Sequence, residues 1–401
     1  MRIGGIEDHF SRMVKSTLDS GRRVIWLTTK SHEIASDYRV MGDARVEKAY
    51  ITRTIFGPVY PKIDANRTDD VFMITTDPCR YAISDTAYRN MQCHSFNHIL
   101  LLPHYTGSAY YPERAFRSGF MRDFWFRKMQ QVAEVLVERD AIRACSEKQI
   151  AAYEDGYGVQ VKEPKKKLLP RTWAIPDVDK EEILSRERAR ADRFEIVTCA
   201  RFDFPHKGYL LGLIREFETL HAKFPQVWLT IVGYGAGEER VHEAIAALPE
   251  GARACVEVIG PLAPEELMSR YRGCQLNVGV AGALVQGALC GVPSLNMAHY
   301  TEECEGFGFL EDAGDVFPED TPRRMADAIE SVITMSPSEY VTRSQGARRF
   351  AVSLVDDDPD YVFRQSIAAE PRVPLGAAAA RVLFGLRAFC QKALRRGMFE
   401  Q

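Results

Sequence analysis

The sequence predicts an α/β protein of two domains, the second of them doubly wound, and three observations carry this. Residues 196–237 read as strand, basic turn, helix, strand and glycine-rich turn. From there to residue 334 strand and helix patterns alternate regularly. The chain has 401 residues and 46% apolar content, enough for two or three domains, each with a core of its own.

The 196–237 unit organises the rest. Residues 196–200 are a short apolar run suited to a buried strand, and the turn after it carries Arg201, His206, Lys207 and Gly208. Leu210, Leu213, Ile214, Phe217, Leu220 and Phe224 recur at spacings of three and four, so 209–224 is a helix with one buried face. Residues 227–232 supply a second strand, and Gly233, Gly235 and Gly237 punctuate the turn that follows. A basic turn and a glycine turn at the carboxyl ends of neighbouring strands are where an open α/β sheet binds phosphates.

Taken in order, the chain opens on Gly4-Gly5 followed at once by a helical pattern in Phe10, Met13, Val14 and Leu18, with no strand before it. Either the true start lies upstream or the first sheet begins one strand short. Strands are expected at 24–28, 46–51, 71–75 and 99–102, a helix near 83–91, and a loop over 54–70. A long helix runs through Phe124, Met129, Val132, Val135 and Leu136 to about residue 140. Short strands at 141–146 and 167–169 flank a helix for which Ser146 is the expected N-cap. The charge-dense stretch 177–194 reads as an interdomain linker. Beyond the 196–237 unit the pattern gives helix 238–247, strand 255–259, helix 264–273, strand 275–278, helix 283–290, strand 292–297 and helix 321–334. The domains are therefore 1–176, 195–352 and a helical extension at 353–401.

Composition excludes several classes. A net charge of −3 gives no general pull toward nucleic acid. Nine cysteines without a CxxC pair suit a reducing compartment better than a disulfide frame or a zinc site. Nothing resembles a signal peptide, and no apolar run approaches the roughly 20 residues that span a bilayer. The expectation is a cytoplasmic chain, peripheral at the inner membrane face if attached at all. Such attachment would come from the end of the chain. Residues 372–396 hold Arg372, Arg381, Arg387, Lys392, Arg395 and Arg396 with no acidic residue, opposite a face of Val382, Leu383, Leu386, Phe389, Ala393 and Leu394. Such a helix either lies on an anionic membrane surface, through 373–401, or packs back on a domain.

In these and further segments the chain resembles the group 1 (family 4) glycosyltransferases of the GT-B fold, two Rossmann-like domains facing each other across a cleft. Gly4-Gly5-Ile6-Glu7 is similar to the family's N-terminal glycine loop. HYTGSAYYP, ACSEKQIAAYEDGYGV and KLLPRTWAIPDVD are similar to segments closing its first domain. Arg201 to Gly208 resembles its Arg...Lys-Gly signature, VGYGAGEER its second glycine turn, VIGPLAPEELMSRYRGC the strand and helix after it, and Ala288-Leu289-Cys290-Gly291-Val292-Pro293 its Ala-Met-Ala-x-Gly-x-Pro helix end. The resemblance implies a nucleotide-sugar donor, UDP- or GDP-linked, and a glycan or glycolipid acceptor. It further implies retention of configuration, with no metal and no separate cofactor.

Expelling a diphosphate gathers negative charge on the leaving oxygens, which fixed positive groups must meet. Arg201 and Lys207 are the expected clamp. Gly4 and Gly5 would let backbone N–H groups approach the β-phosphate. His104, just past the 99–102 strand, is the third candidate catalytic residue, since a family histidine at such a point helps hold the donor sugar. Gly208, Gly233, Gly235, Gly282, Ala283, Leu284 and Gln286 complete the expected donor-binding set. One departure stands out. The family's paired glutamates fall at Val278 and Gln286, of which only Gln286 offers an acceptor. Glu302 or Glu303 are candidates to replace the lost carboxylate, whereas Glu305-Gly306-Phe307-Gly308 lies after the 292–297 strand and is a decoy. The departure keeps two alternatives open: a nucleotide-sugar epimerase of the same fold, and a non-catalytic binding subunit of a glycan-synthesis complex.

Overall fold

A computed structural model describes residues 5–28, 43–54, 57–76, 78–88, 90–102, 119–144, 146–168, 173, 175–318 and 320–355. These fall into two compact units, one holding the described residues up to Leu168 and the other running from Trp173 to Val355.

The first unit opens on α1 (Gly5–Asp19), and among the described residues no strand precedes it. Strands β1 (Val24–Thr28) and β2 (Val46–Tyr50) pair in parallel, and Val14 and Leu18 of the helix pack with Val46. Where a loop is expected over 54–70, β3 (Thr52–Thr54) and β4 (Gly57–Val59) form a small antiparallel hairpin. Three-residue strands are too short to show a period, and Pro58 reads as a breaker. A parallel sheet follows, built from β5 (Asp70–Thr75), β6 (Ser95–Leu102) and β7 (Ile142–Ala144) with β6 in the middle. Its connections are α2 (Pro78–Tyr88) and α3 (Gly119–Glu138). Residues 99–102 are buried on both faces, as the middle strand of a covered parallel sheet must be. Ser146 caps α4 (Glu147–Tyr157) in a full capping box with Gln149, and Gly158 closes the helix at φ 65°. The strand expected at 167–169 is only a single bridge between Ala144 and Leu168, because Pro164–Lys167 winds into a 3₁₀ turn.

In the second unit the 177–194 stretch is not open chain. It carries α5 (Lys180–Ala189), N-capped by Asp179, with Ile183 and Arg186 buried. Then come β8 (Phe194–Arg201), α6 (Tyr209–Lys223), β9 (Val227–Tyr234), α7 (Glu238–Ala246), the short α8 (Glu250–Arg253) and β10 (Val256–Ile259). The chain continues through α9 (Pro264–Gly273), β11 (Leu276–Gly279), α10 (Ala281–Leu289) and β12 (Ser294–Met297). It ends in β13 (Glu305–Phe309), α11 (Leu310–Ala313), β14 (Arg323–Arg324), α12 (Ala326–Thr334) and α13 (Pro337–Ser353). The strand order is β10-β9-β8-β11-β12-β13-β14; the first five are parallel, β13 runs against them, and β14 pairs antiparallel with β13. Leu210, Leu213, Ile214, Phe217 and Leu220 of α6 are fully buried against Ile196, Leu229 and Ile231 of the sheet, which is the face the spacing predicts.

This order decides where a ligand site belongs. The chain leaves β8 toward β9 and β10, then returns to the other side of β8 for β11 and β12. The order reverses between β8 and β11, so the loops beyond their carboxyl ends diverge and leave a crevice there.

Candidate functional site

Three loops meet the reversal point from within the second unit: residues 202–208 after β8, residue 280 and the start of α10 after β11, and residues 298–304 after β12. Arg201 is the last residue of β8, and Lys207 comes at the end of the turn that delivers the chain into α6. The Lys207 N–H donates to the Asp203 carbonyl and the Gly208 N–H to the Pro205 carbonyl, which fixes the turn. Among the described residues no carboxylate lies within 4.0 Å of either cation. Burial first, and then the Arg201 charge, bring the Lys207 ammonium down to about 7; Asp203 and Cys199 oppose this. Two cations that feel each other's charge, neither of them in a salt bridge with a described residue and one of them mostly buried, suit the binding of an anion.

The start of α10 offers donors to the same crevice. Val280 is its N-cap and provides no side-chain acceptor, so the first N–H groups of the helix, including those of Gly282 and Ala283, lack a capping partner. The helix is held tightly to its strand by buried Asn277, whose amide donates to the Ala283 and Leu284 carbonyls at 3.3 and 3.1 Å and to Ser294 Oγ at 3.1 Å. Leu284 itself is fully buried with Trp173, so its side chain belongs to the core. Gln286 sits one turn further on, half-buried, its amide without a hydrogen bond to a described residue. Val278 is fully buried inside β11, which accounts for an apolar residue at that position.

The glycines of the motif seat these loops against one another. A Cβ on Gly208 would lie 2.4 Å from the Thr301 carbonyl oxygen, so the 298–304 loop rests directly on the start of α6. Gly235 has φ 150°, and a Cβ there would meet the Phe202 carbonyl at 2.8 Å; one on Gly233 would meet the Ala200 carbonyl at 2.0 Å. Neighbouring backbone, not open space, thus faces all three. Gly5 opens α1, whereas Gly4 and His104 lie outside the described residues.

Glu302 and Glu303 are engaged elsewhere. Glu302 takes both carboxylate oxygens to Arg240, at 3.1 and 3.0 Å, and Glu303 stands 3.6 Å from Arg215. Glu305 lies on antiparallel β13, beyond the crevice motif, and accepts from Thr301 Oγ1 at 3.3 Å. What the sequence reading passed over is a group of rings in the third loop. His299 stacks on His206 with centroids 4.9 Å apart and planes 14° apart, and on Phe317 at 5.7 Å; Tyr300 tilts onto the His206 ring at 4.9 Å. Burial, then the charges of Lys207 and His206, hold the His299 imidazole down to about 3, so it is neutral. The His206 carbonyl offsets this in part, from a geometry looser than a proper hydrogen bond, and both ring nitrogens of His299 are otherwise buried without partners. The signal that finds these residues is their place immediately after β12, at the carboxyl edge of the sheet.

No family model matches the chain, and no curated protein matches it by sequence. Solved structures do. Alr3699/HepE of Anabaena, in complex with UDP-glucose, is similar over 98% of this chain and 97% of its own at 14% identity, with a TM-score of 0.54. The same protein in complex with UDP gives 0.55 at 16% identity, over 89% and 93%. The N-terminal domain of the Candida albicans trehalose-6-phosphate phosphatase gives 0.50 at 13% identity, over 84% and 88%. The fold is GT-B. At such identities the likeness speaks for the fold alone, and the chemistry must be argued from the site.

Proposed function

We propose that the chain is a glycosyltransferase that moves a sugar from a nucleotide-sugar donor, UDP- or GDP-linked, to a glycan or lipid-linked glycan. The observation that carries this reading is the pair Arg201 and Lys207, two cations in no salt bridge with a described residue, at the reversal point of the sheet and beside the uncapped start of α10. A diphosphate satisfies all of them at once. It pairs with both cations, accepts from free helix N–H groups, and restores to Lys207 the charge that burial disfavours.

The same contacts serve the reaction. As the bond from the anomeric carbon to the diphosphate breaks, charge grows on the leaving oxygens, and donors fixed in advance stabilise it more than they stabilise the intact donor. Gln286 supplies a carbonyl acceptor for ribose hydroxyls, and by the family resemblance Gly4, Gly5 and His104 are further candidates for the donor. By the family resemblance the transfer is retaining and proceeds without a metal, and residues 373–401 attach the enzyme to an anionic surface close to a lipid-linked acceptor. The two cations and the uncapped helix start support a diphosphate ligand, and donor turnover separates the transferase from a silent binding subunit.

A thermal-shift screen of UDP- and GDP-sugars tests the donor class, and donor turnover tests the clamp. Arg201→Ala or Lys207→Ala should lower turnover by about 10²- to 10³-fold while leaving the fold intact. Near-normal turnover in both variants would remove the clamp from the mechanism.

A further inference from the structure

The backbone beyond the carboxyl ends of β11 and β12, two adjacent parallel strands, is strained twice. Ala281, two residues after β11, has φ 53°, and Tyr300, three residues after β12, has φ 60°. Left-handed φ is unfavourable for any residue with a Cβ, more so for a bulky one, and it persists where the surroundings or a function require it. The turn at 300 does not require a tyrosine. Its N–H donates to the His206 carbonyl at 3.3 Å, a bond that any residue makes, and glycine would adopt the same φ without strain.

The ring is also unnecessary to the core. Tyr300 is 62% exposed, more than any other large apolar side chain among the described residues. Yet it is not loose. Its ring tilts onto His206 at 4.9 Å and onto His299 at 6.5 Å, and His299 is itself stacked on His206 and Phe317, so the exposed ring is braced by two rings of a stacked group. A side chain that strains its backbone, contributes little burial and is braced from behind is built to meet something outside the fold.

We infer that Tyr300 is the stacking platform for the sugar ring of the donor, an inference that rests on the glycosyltransferase reading above. Lys207 follows His206 directly, so the platform stands beside the diphosphate clamp, where the group joined to the diphosphate must lie. A pyranose presents a face of C–H bonds, which packs on an aromatic ring, and a rim of hydroxyls, which seeks polar neighbours. His206 and the Thr301 hydroxyl border Tyr300 on the same loops. His299, kept neutral by burial and by the Lys207 charge, braces the stack without adding a further cation beneath it.

The test uses the full chain and two variants, Tyr300→Gly and Tyr300→Phe. UDP, UDP-glucose, UDP-N-acetylglucosamine and GDP-mannose are titrated by calorimetry, and the sugar nucleotide that the parent protein binds best is compared with its own nucleoside diphosphate. Tyr300→Gly should weaken the sugar nucleotide about fivefold or more while leaving the nucleoside diphosphate within about twofold, and should raise Tm, because the strain is relieved. Tyr300→Phe should keep parental affinities. Equal loss for both ligands would put the ring against the nucleotide, no loss would leave it idle, and a lowered Tm would make it structural; each overturns the inference. If the parent protein binds none of the four, the transferase reading falls and takes the inference with it, whereas binding that Tyr300→Gly leaves unchanged sinks the inference alone.

Discussion

At the scale of single residues, Lys207 is the group whose behaviour is easiest to read from outside. Burial and Arg201 lower its folded pKa to about 7, whereas in the unfolded chain it keeps its proton to the ordinary value near 10.5. Between those limits unfolding takes up a proton, so the stability penalty of a charged Lys207 is full below pH 7 and fades as pH rises toward 10.5. Donor affinity follows the opposite course, because the clamp needs the charge. The neighbours of Lys207 whose values are shifted do not blur this: burial holds His299 neutral above about 3 and pushes the Cys199 thiol up to about 11. Affinity for a nucleotide sugar, whose diphosphate has no titrating group near neutrality, should therefore fall by up to about tenfold per pH unit above 7. Lys207→Arg should bind with a flat profile from pH 7 to 9. Calorimetric titrations at several pH values check both, and a flat profile in the parent protein would mean that Lys207 does not contact the donor.

At the scale of elements, the second unit was largely legible because its strands and helices are long enough to show a period. Helices 209–224 and 264–273 and the strands between them fall within two residues of the expected bounds. The misreadings have local causes. Hairpin β3–β4 and the two-residue β14 are too short to show a period, the bridge at Leu168 depends on Ala144, distant in sequence, and α5 sits in a stretch so polar that its one buried edge is hidden. That edge is mostly Arg186. Its guanidinium donates to the carbonyls of Cys290 at 2.9 Å, Gly291 and Arg272 at 3.2 Å, where α10 ends with Gly291 at φ 66° and α9 ends beside it. Helix carbonyls left open there would be buried orphans, so one arginine closes two helices and ties α5 to both. Arg186→Ala should destabilise the chain by about 3 kcal/mol, since several charged hydrogen bonds are lost at a buried site. Arg186→Lys should recover little, because an ammonium cannot reach three carbonyls with a planar fork. Urea unfolding midpoints measure both; a loss under about 1 kcal/mol would show that water replaces the guanidinium at those carbonyls.

At the scale of the whole chain, the sequence pattern was enough for an α/β fold and for the basic turn, while the ring stack behind Tyr300 was not visible in it. Arg201 and Lys207 are close in sequence and share one turn, whereas His206 and His299 are brought together only when β8 and β12 take their places on either side of β11. Charge is a whole-chain property that sequence does give. Residues 373–401 hold five cations and one carboxylate, so the net −3 of the chain leaves −7 on the remainder. Among the described residues no helix is long and apolar enough to cross a membrane. Near anionic lipid each cation contributes about 1 kcal/mol, and the negative remainder is repelled. Both effects weaken together as salt shortens the Debye length to roughly 8 Å. The full chain should then sediment with vesicles of phosphatidylserine and phosphatidylcholine at low salt, progressively less as salt rises, and not with phosphatidylcholine alone. Deleting residues 373–401 should abolish sedimentation outright, since the acidic remainder has nothing to overcome its own repulsion, and should leave the UDP-sugar thermal shift in place because the clamp lies in the second unit. Undiminished sedimentation after the deletion would move the attachment to another part of the chain, and loss of the thermal shift would make 373–401 part of the fold that supports the site.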